Sequence, residues 1–251
     1  MTQNDFNYGI LEQTAHRPWP MPDEPWIMTQ TWHDLLFAHW PVDVRQLREK
    51  VPPGLDLDLF DNEAWIGIVP FHMTNVAPRG LPALPWVSAF PELNVRTYVR
   101  VHGIPGVYFF SLDAGNPVAV GAARTLFALP YYTADMESLV SGDRVSYRSH
   151  RRSSDEAAFE AEYGPSGPAS PPAPGSREAF LTERYCLFTV DSEFVVHRLD
   201  IHHPPWPLQP AEARITINTM AQAAGLRLPA VSPLLHFSKR QDMVAWRMKR
   251  I

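Results

Sequence analysis

Polar and apolar positions alternate along much of this chain with the period of two that marks a half-buried strand. Leu55, Leu57 and Leu59 interleave with Asp56 and Asp58, which predicts a strand with leucines inward and carboxylates in water. Asp61-Asn62 is turn chemistry, and residues 64–71 predict the returning strand. Residues 92–101 alternate again, 102–106 turn, and 107–113 form an apolar, buried run. Residues 144–151 and 157–163 predict a strand pair. In the second, Ala157, Phe159, Ala161 and Tyr163 share one face, with Glu160 and Glu162 on the other. Residues 193–203 and two arms around Gln241-Asp242 predict the closing strands. Residues 29–40 are apolar and aromatic, and their period does not decide between strand and helix. Helix signals are few. Asp43 with Gln46 three residues later is a capping pattern, Val44, Leu47 and Val51 share a face, and Pro52-Pro53-Gly54 stops the helix. Asn116-Pro117 predicts a second helix running to Ala128, and 178–185 a short third. Turns rather than helical crossovers join the strands, which favours antiparallel closure.

Composition sharpens this picture. The 26 prolines exclude long helices and central strands wherever they fall and cut the chain into short elements. Residues 1–28 predict an extended lead-in and 29–251 a single domain. Residues 72–91 predict a long loop, and the Pro/Gly/Ser-rich stretch 164–176 a mobile one. The net charge of −5 disfavours nucleic acid and anionic membrane as partners. No apolar run approaches the ~18 residues of a membrane span. The polar N-terminus and the single cysteine, Cys186, fit a reducing, cytoplasmic setting.

Three stretches, Leu35 to Pro41, Glu92 to Val99 and Gly106 to Asp113, followed by Ala123-Arg124 and Leu129-Pro130-Tyr131, resemble the YqjF-like bacterial family of unknown function. That family is similar in turn to acetoacetate decarboxylase. The resemblance implies a mainly β fold: a closed, cone-like antiparallel barrel with a central cavity and a few short flanking helices. In the decarboxylases a lysine pair follows the proline of the corresponding helix, and its first member forms the Schiff base. Here those positions carry Tyr131-Tyr132, with Arg124 six residues before Pro130. A phenol cannot form an imine, and Lys50, Lys239 and Lys249 lie in no cavity-like context.

The candidate binding residues are Glu92, Asn94, Arg96 and Tyr98, which share one strand face by period, and Arg124, Tyr131 and Tyr132, which the resemblance brings beside them. Arg96 either binds a ligand carboxylate or forms a structural ion pair with Glu92. Arg124 is an anion clamp, a surface cation or a partner for a neighbouring acid. The tyrosines are proton donors or plain walls. The ten histidines show no metal-ligand spacing, His39 predicts a hydrogen-bonded core residue and Cys186 a buried, inert thiol. No cofactor motif is present. Two functions follow: a barrel cavity for a small carboxylate- or carbonyl-containing molecule without Schiff-base chemistry, enzymatic or not, or a non-catalytic interaction protein that retains the fold. A homo-oligomer stays open.

Overall fold

The computed structural model describes residues 5–84, 87–118, 120–121, 129–154 and 156–251. Among them one mixed sheet of 13 strands runs through the molecule. In chain order these are β1 (Met28–Val42), β2 (Asp56–Leu57), β3 (Ala64–Pro78), β4 (Phe90–Val101), β5 (Ile104–Ala114), β6 (Tyr131–Ser141), β7 (Arg144–Arg151), β8 (Ala158–Pro165), β9 (Cys186–Val190), β10 (Val196–His202), β11 (Gln209–Asn218), β12 (Leu234–Ala245) and β13 (Lys249–Arg250). The helices α1 (Val44–Arg48), α2 (Arg177–Thr182) and α3 (Met220–Ala223) are short.

The sheet closes on itself as a nine-strand barrel, β1-β3-β4-β5-β6-β7-β8-β11-β12. A second, shorter closure leaves β5 through β9 and β10 and rejoins β12. Strands β12, β1, β3, β4 and β5 belong to both rings, so both of their faces are buried. Leu36, Ile66, Ile68, Leu93, Val95 and Val99 pack on one face against Tyr147, Phe159 and Tyr163. The other face carries Leu35, Phe37, Val69 and Phe71.

Several expectations hold. Residues 29–40 are strand, and the period failed to decide because a bulge interrupts it. Between His33 and Ala38 the register against β3 slips, with Asp34 at φ +48°, and the cavity-facing positions change from even to odd. Asp43 caps α1, its carboxylate accepting from the Gln46 amide at 2.8 Å, while the Gln46 side chain pairs instead with the backbone of Arg227. Strands β7 and β8 pair as predicted.

Other expectations are corrected. The 55–59 strand shrinks to Asp56–Leu57, and Asp58 is buried rather than solvated because Arg184 and Arg100 hold it. Strand β3 runs to Pro78, well into the predicted loop. Residues 234–245 make one continuous strand without a turn at Gln241-Asp242. The lead-in contains a 3-10 turn, Tyr8–Glu12, whose Ile10 packs with Phe6 on Val244 and Trp246. The stretch 164–176 is pinned rather than loose. Ser166 and Ser170 donate backbone N–H bonds of 2.8 Å to Pro210 and Leu208, and the Gln209 amide reaches the Gly167 carbonyl. The closure is not purely antiparallel, since β6 and β9 both lie parallel to β5. Asn116 does open a helical turn, accepting from Val118 N at 3.0 Å. Residues 122–128, with Arg124, lie outside the described residues.

Candidate functional site

Strand β4 builds one wall of a cavity of about 490 Å³. Its inward side chains, Glu92, Asn94 and Arg96, follow the period of two. Opposite Arg96, Gly67 leaves room, for a Cβ there would lie 3.0 Å from the His39 ring and 3.4 Å from the Arg96 side chain. A bulge in β5 between the partners of Val95 and Arg96 turns both Phe109 and Leu112 into the cavity. Tyr131 enters from the first position of β6, and Trp32 and Trp206 stack with centroids 5.6 Å apart as an aromatic wall.

Four of the predicted residues therefore meet: Glu92, Asn94, Arg96 and Tyr131. Tyr98 is fully buried behind them. Its hydroxyl donates to the Leu181 carbonyl at 2.8 Å and accepts from His39 Nε2 at 2.6 Å. Tyr132, adjacent to Tyr131 on a strand, points the other way and lies 3.9 Å from the Arg151 guanidinium. Arg151 is itself paired with buried Asp113 through bonds of 2.6 and 2.8 Å.

The electrostatics of the wall are uneven. The Tyr131 hydroxyl donates to Glu92 Oε2 at 3.1 Å. Burial pushes the Glu92 carboxyl up to about 8, and nearby Asp113 adds to this against the Tyr131 hydrogen bond. Burial and Glu92 also hold the Tyr131 phenol well above its ordinary value. Near neutral pH both groups thus keep their protons. Arg96 forms no ion pair with Glu92. Four strand positions separate them, and Arg96 Nη2 instead donates to the Leu181 carbonyl at 3.1 Å. Its Nε is buried without a hydrogen-bond partner among the described residues, and so is Asn94 Oδ1. The guanidinium lies 5.2 Å from the Phe37 ring.

Sequence reasoning missed Arg184 and His203, which also line the cavity. Arg184 is neutralised by Asp58 at 2.6 Å, and His203 is held near 4 by burial. The signal for Arg184 was absent, because its partner sits 126 positions away. The three lysines lie outside: Lys50 is exposed, Lys239 pairs with Asp34 and Lys249 with Glu24. Cys186 is buried, its thiol pushed up to about 12. Among the described residues no cluster could hold a metal ion, and no helix is long and apolar enough to cross a membrane.

Comparison with known proteins places these features. The model of a family described as an uncharacterized conserved protein matches residues 29–242. The uncharacterized protein YqjF of Bacillus subtilis (strain 168) is 50% identical over 241 residues, covering 96% of this chain and 99% of its own. Among solved structures, acetoacetate decarboxylase from Legionella pneumophila superposes with a TM-score of 0.61 at 15% identity, covering 100% of this chain and 98% of that one. The enduracididine biosynthesis enzyme MppR, complexed with pyruvate, gives 0.62 at 10% identity, covering 94% and 93%. These likenesses establish an acetoacetate decarboxylase-like fold.

Proposed function

The chain belongs to the DUF2071 family, whose description assigns no activity, and we propose that its barrel cavity binds a small organic molecule bearing a carboxylate or carbonyl, without lysine Schiff-base chemistry. The observation that carries this is Arg96, a cavity-wall cation with an unpartnered buried Nε and no carboxylate partner among the described residues. A desolvated guanidinium is costly unless an anion meets it, and a carboxylate matches its fork. A protonated Glu92 is suited to donate a hydrogen bond to a ligand oxygen, supported from behind by Tyr131. The pyruvate held by MppR is a ligand of this chemical class in a related fold. The resemblance to the decarboxylases aligns Tyr131 with their amine, and the three lysines lie at the exterior, which supports a reading without a lysine imine.

Native mass spectrometry of freshly purified protein is the direct test. A retained organic acid that is absent from the Arg96→Met variant is the expected result. A cavity that carries nothing and takes up no carboxylate or carbonyl compound ends the proposal. Borohydride with acetoacetate tests the second half: no stable adduct is expected, and reduction onto any lysine overturns it.

A further inference from the structure

Among the described residues the cavity wall is mostly apolar, with one polar row on β4 and single polar groups, such as Gln30, Tyr131, Thr182, Arg184 and His203, elsewhere. Val69 and Phe71 on β3 and Phe109 and Leu112 on β5 flank the stripe formed by Glu92, Asn94 and Arg96, and Leu35 and Met243 line the same cavity. That stripe has a direction. Along β4 the inward positions run Phe90, Glu92, Asn94, Arg96, and six residues of strand span roughly 20 Å. Arg96 lies at one end, against the buried Leu181 carbonyl and Phe37. The other end opens at the connection between β3 and β4. Among the described residues, Pro78, Leu81, Pro82 and Leu84 are the exposed members of the wall, and all four are apolar. Leu81 and Leu84 keep 62% and 58% of their surface in water, an exposure that favours an apolar partner at the rim.

The charge balance of the wall points the same way. Arg184 is paired with Asp58, which the half-exposed Arg100 shares from its other side, His203 is neutral, and Glu92 holds its proton near neutral pH. Among the described lining residues this leaves Arg96 as the cation without a carboxylate partner, so a single carboxylate is what the described wall calls for. A ligand as small as acetate or pyruvate would satisfy Arg96 but leave most of a 490 Å³ apolar volume unfilled.

We propose that the ligand is a monocarboxylic acid with an extended apolar tail, its carboxylate on Arg96 and its tail running past Asn94 and Glu92 to the rim at Leu81 and Leu84. This deepens the preceding reading and rests on it. An oxygen substituent on the chain near the carboxylate would meet Asn94 and Glu92, the polar groups between the cation and the mouth.

Calorimetric titration of the full-length protein at pH 7 with straight-chain acids from acetate to dodecanoate reads the proposal directly. Each added methylene buried against the apolar wall tightens binding about fourfold, until the tail reaches the rim and the gain stops. Octanol, with the same tail and no charge, binds at least tenfold more weakly than octanoate. Arg96→Met erases that difference while octanol binding persists, which also reports that the variant is folded. Leu84→Glu, at the exposed rim, weakens dodecanoate and leaves butyrate unchanged. If acetate and pyruvate bind as tightly as octanoate, the tail is overturned and the carboxylate site stands. If octanol matches octanoate, Arg96 does not select the ligand. If no acid of any length binds, both this inference and the site reading fall.

Discussion

Strand β4 shows two solutions to the same problem on its two faces. Leu93, Val95 and Val99 look toward β7 and β8, where Tyr147, Phe159 and Tyr163 fill the space completely. The large polar tips there have backbone partners: the Tyr147 hydroxyl donates to the Glu92 carbonyl at 2.7 Å, and the Tyr163 hydroxyl to the Asp34 carbonyl at 2.9 Å, while the small Ser149 hydroxyl is buried without a partner among the described residues. Glu92, Asn94 and Arg96 look the other way, into about 490 Å³ of empty volume, with Arg96 Nε and Asn94 Oδ1 left unmatched. The first face is filled by side chains of the protein itself. The second borders open space and leaves a guanidinium N–H and an amide oxygen without partners among the described residues. Buried polar atoms are almost always satisfied in folded proteins, so an unmatched charged donor beside open space supports the binding site proposed on the second face.

The largest expected effects separate the faces by stability. Phe159→Ala removes a fully buried ring from the packed side and should cost about 3–5 kcal/mol in chemical denaturation. Phe109→Ala, on the cavity wall, should cost roughly half as much, because that ring borders space that is already empty and makes fewer contacts. Equal losses would show that the cavity is packed in solution. Asp113→Ala belongs with the large effects: it strands the buried Arg151 guanidinium and should cost about 3–5 kcal/mol.

The next effect is a pH dependence. Glu92 titrates near 8 in the fold, far above an unfolded carboxyl. Between those values the folded state binds the extra proton, so this group's stabilisation is full below the unfolded carboxyl's value and is lost progressively as pH rises from there through about 8. The free energy of unfolding should therefore fall by an amount on the order of 2 kcal/mol between roughly pH 6 and pH 8. Glu92→Gln should flatten that limb. His202 and His203, held near 4 by burial, work in the opposite sense: their neutral forms favour the fold, and that stability is lost as pH falls from about 6.5 toward 4. An alkaline limb that survives in Glu92→Gln would assign it to another group.

The faces differed in how well the sequence revealed them. Period two alone placed Glu92, Asn94 and Arg96 together, and β7 and β8 were read as a pair, with the Phe159, Ala161 and Tyr163 face of β8 inward. Assigning the polar face of β4 to a cavity rather than to water needed the family resemblance, since both arrangements show the same alternation. The sequence could not show that β4 is covered on both sides, which requires the two ring closures. The role of Asp58 was hidden because Arg184 is far away in the chain, and an acid between leucines reads as solvent-facing until its partner is known. The parallel pairings of β5 were equally hidden, because nothing local distinguishes Val107 opposite Leu187 from an antiparallel neighbour. Residues 164–176 looked loose by composition. Their order comes from backbone bonds to 208–210, which composition does not encode.

The smallest effect on stability is the sharpest test of the comparison. Arg96→Met exchanges a desolvated cation for an apolar side chain of similar length. The fold loses one hydrogen bond to the Leu181 carbonyl, but that oxygen keeps the Tyr98 hydroxyl at 2.8 Å and is not orphaned. It also loses the attraction of the guanidinium for the Phe37 and Tyr98 rings, worth about 0.5–1 kcal/mol each. Against this, it no longer holds an unmatched charge away from water, a relief of comparable size. The balance should fall within about 1 kcal/mol, a shift of roughly 2–4 °C in Tm for a chain of this size. Binding of carboxylates should collapse in the same variant. Asp113→Ala sets the contrast, since it breaks a pair that the fold already satisfies. If Arg96→Met instead destabilises the protein as much as Asp113→Ala does, Arg96 is a structural cation, and the two faces of β4 no longer differ in kind.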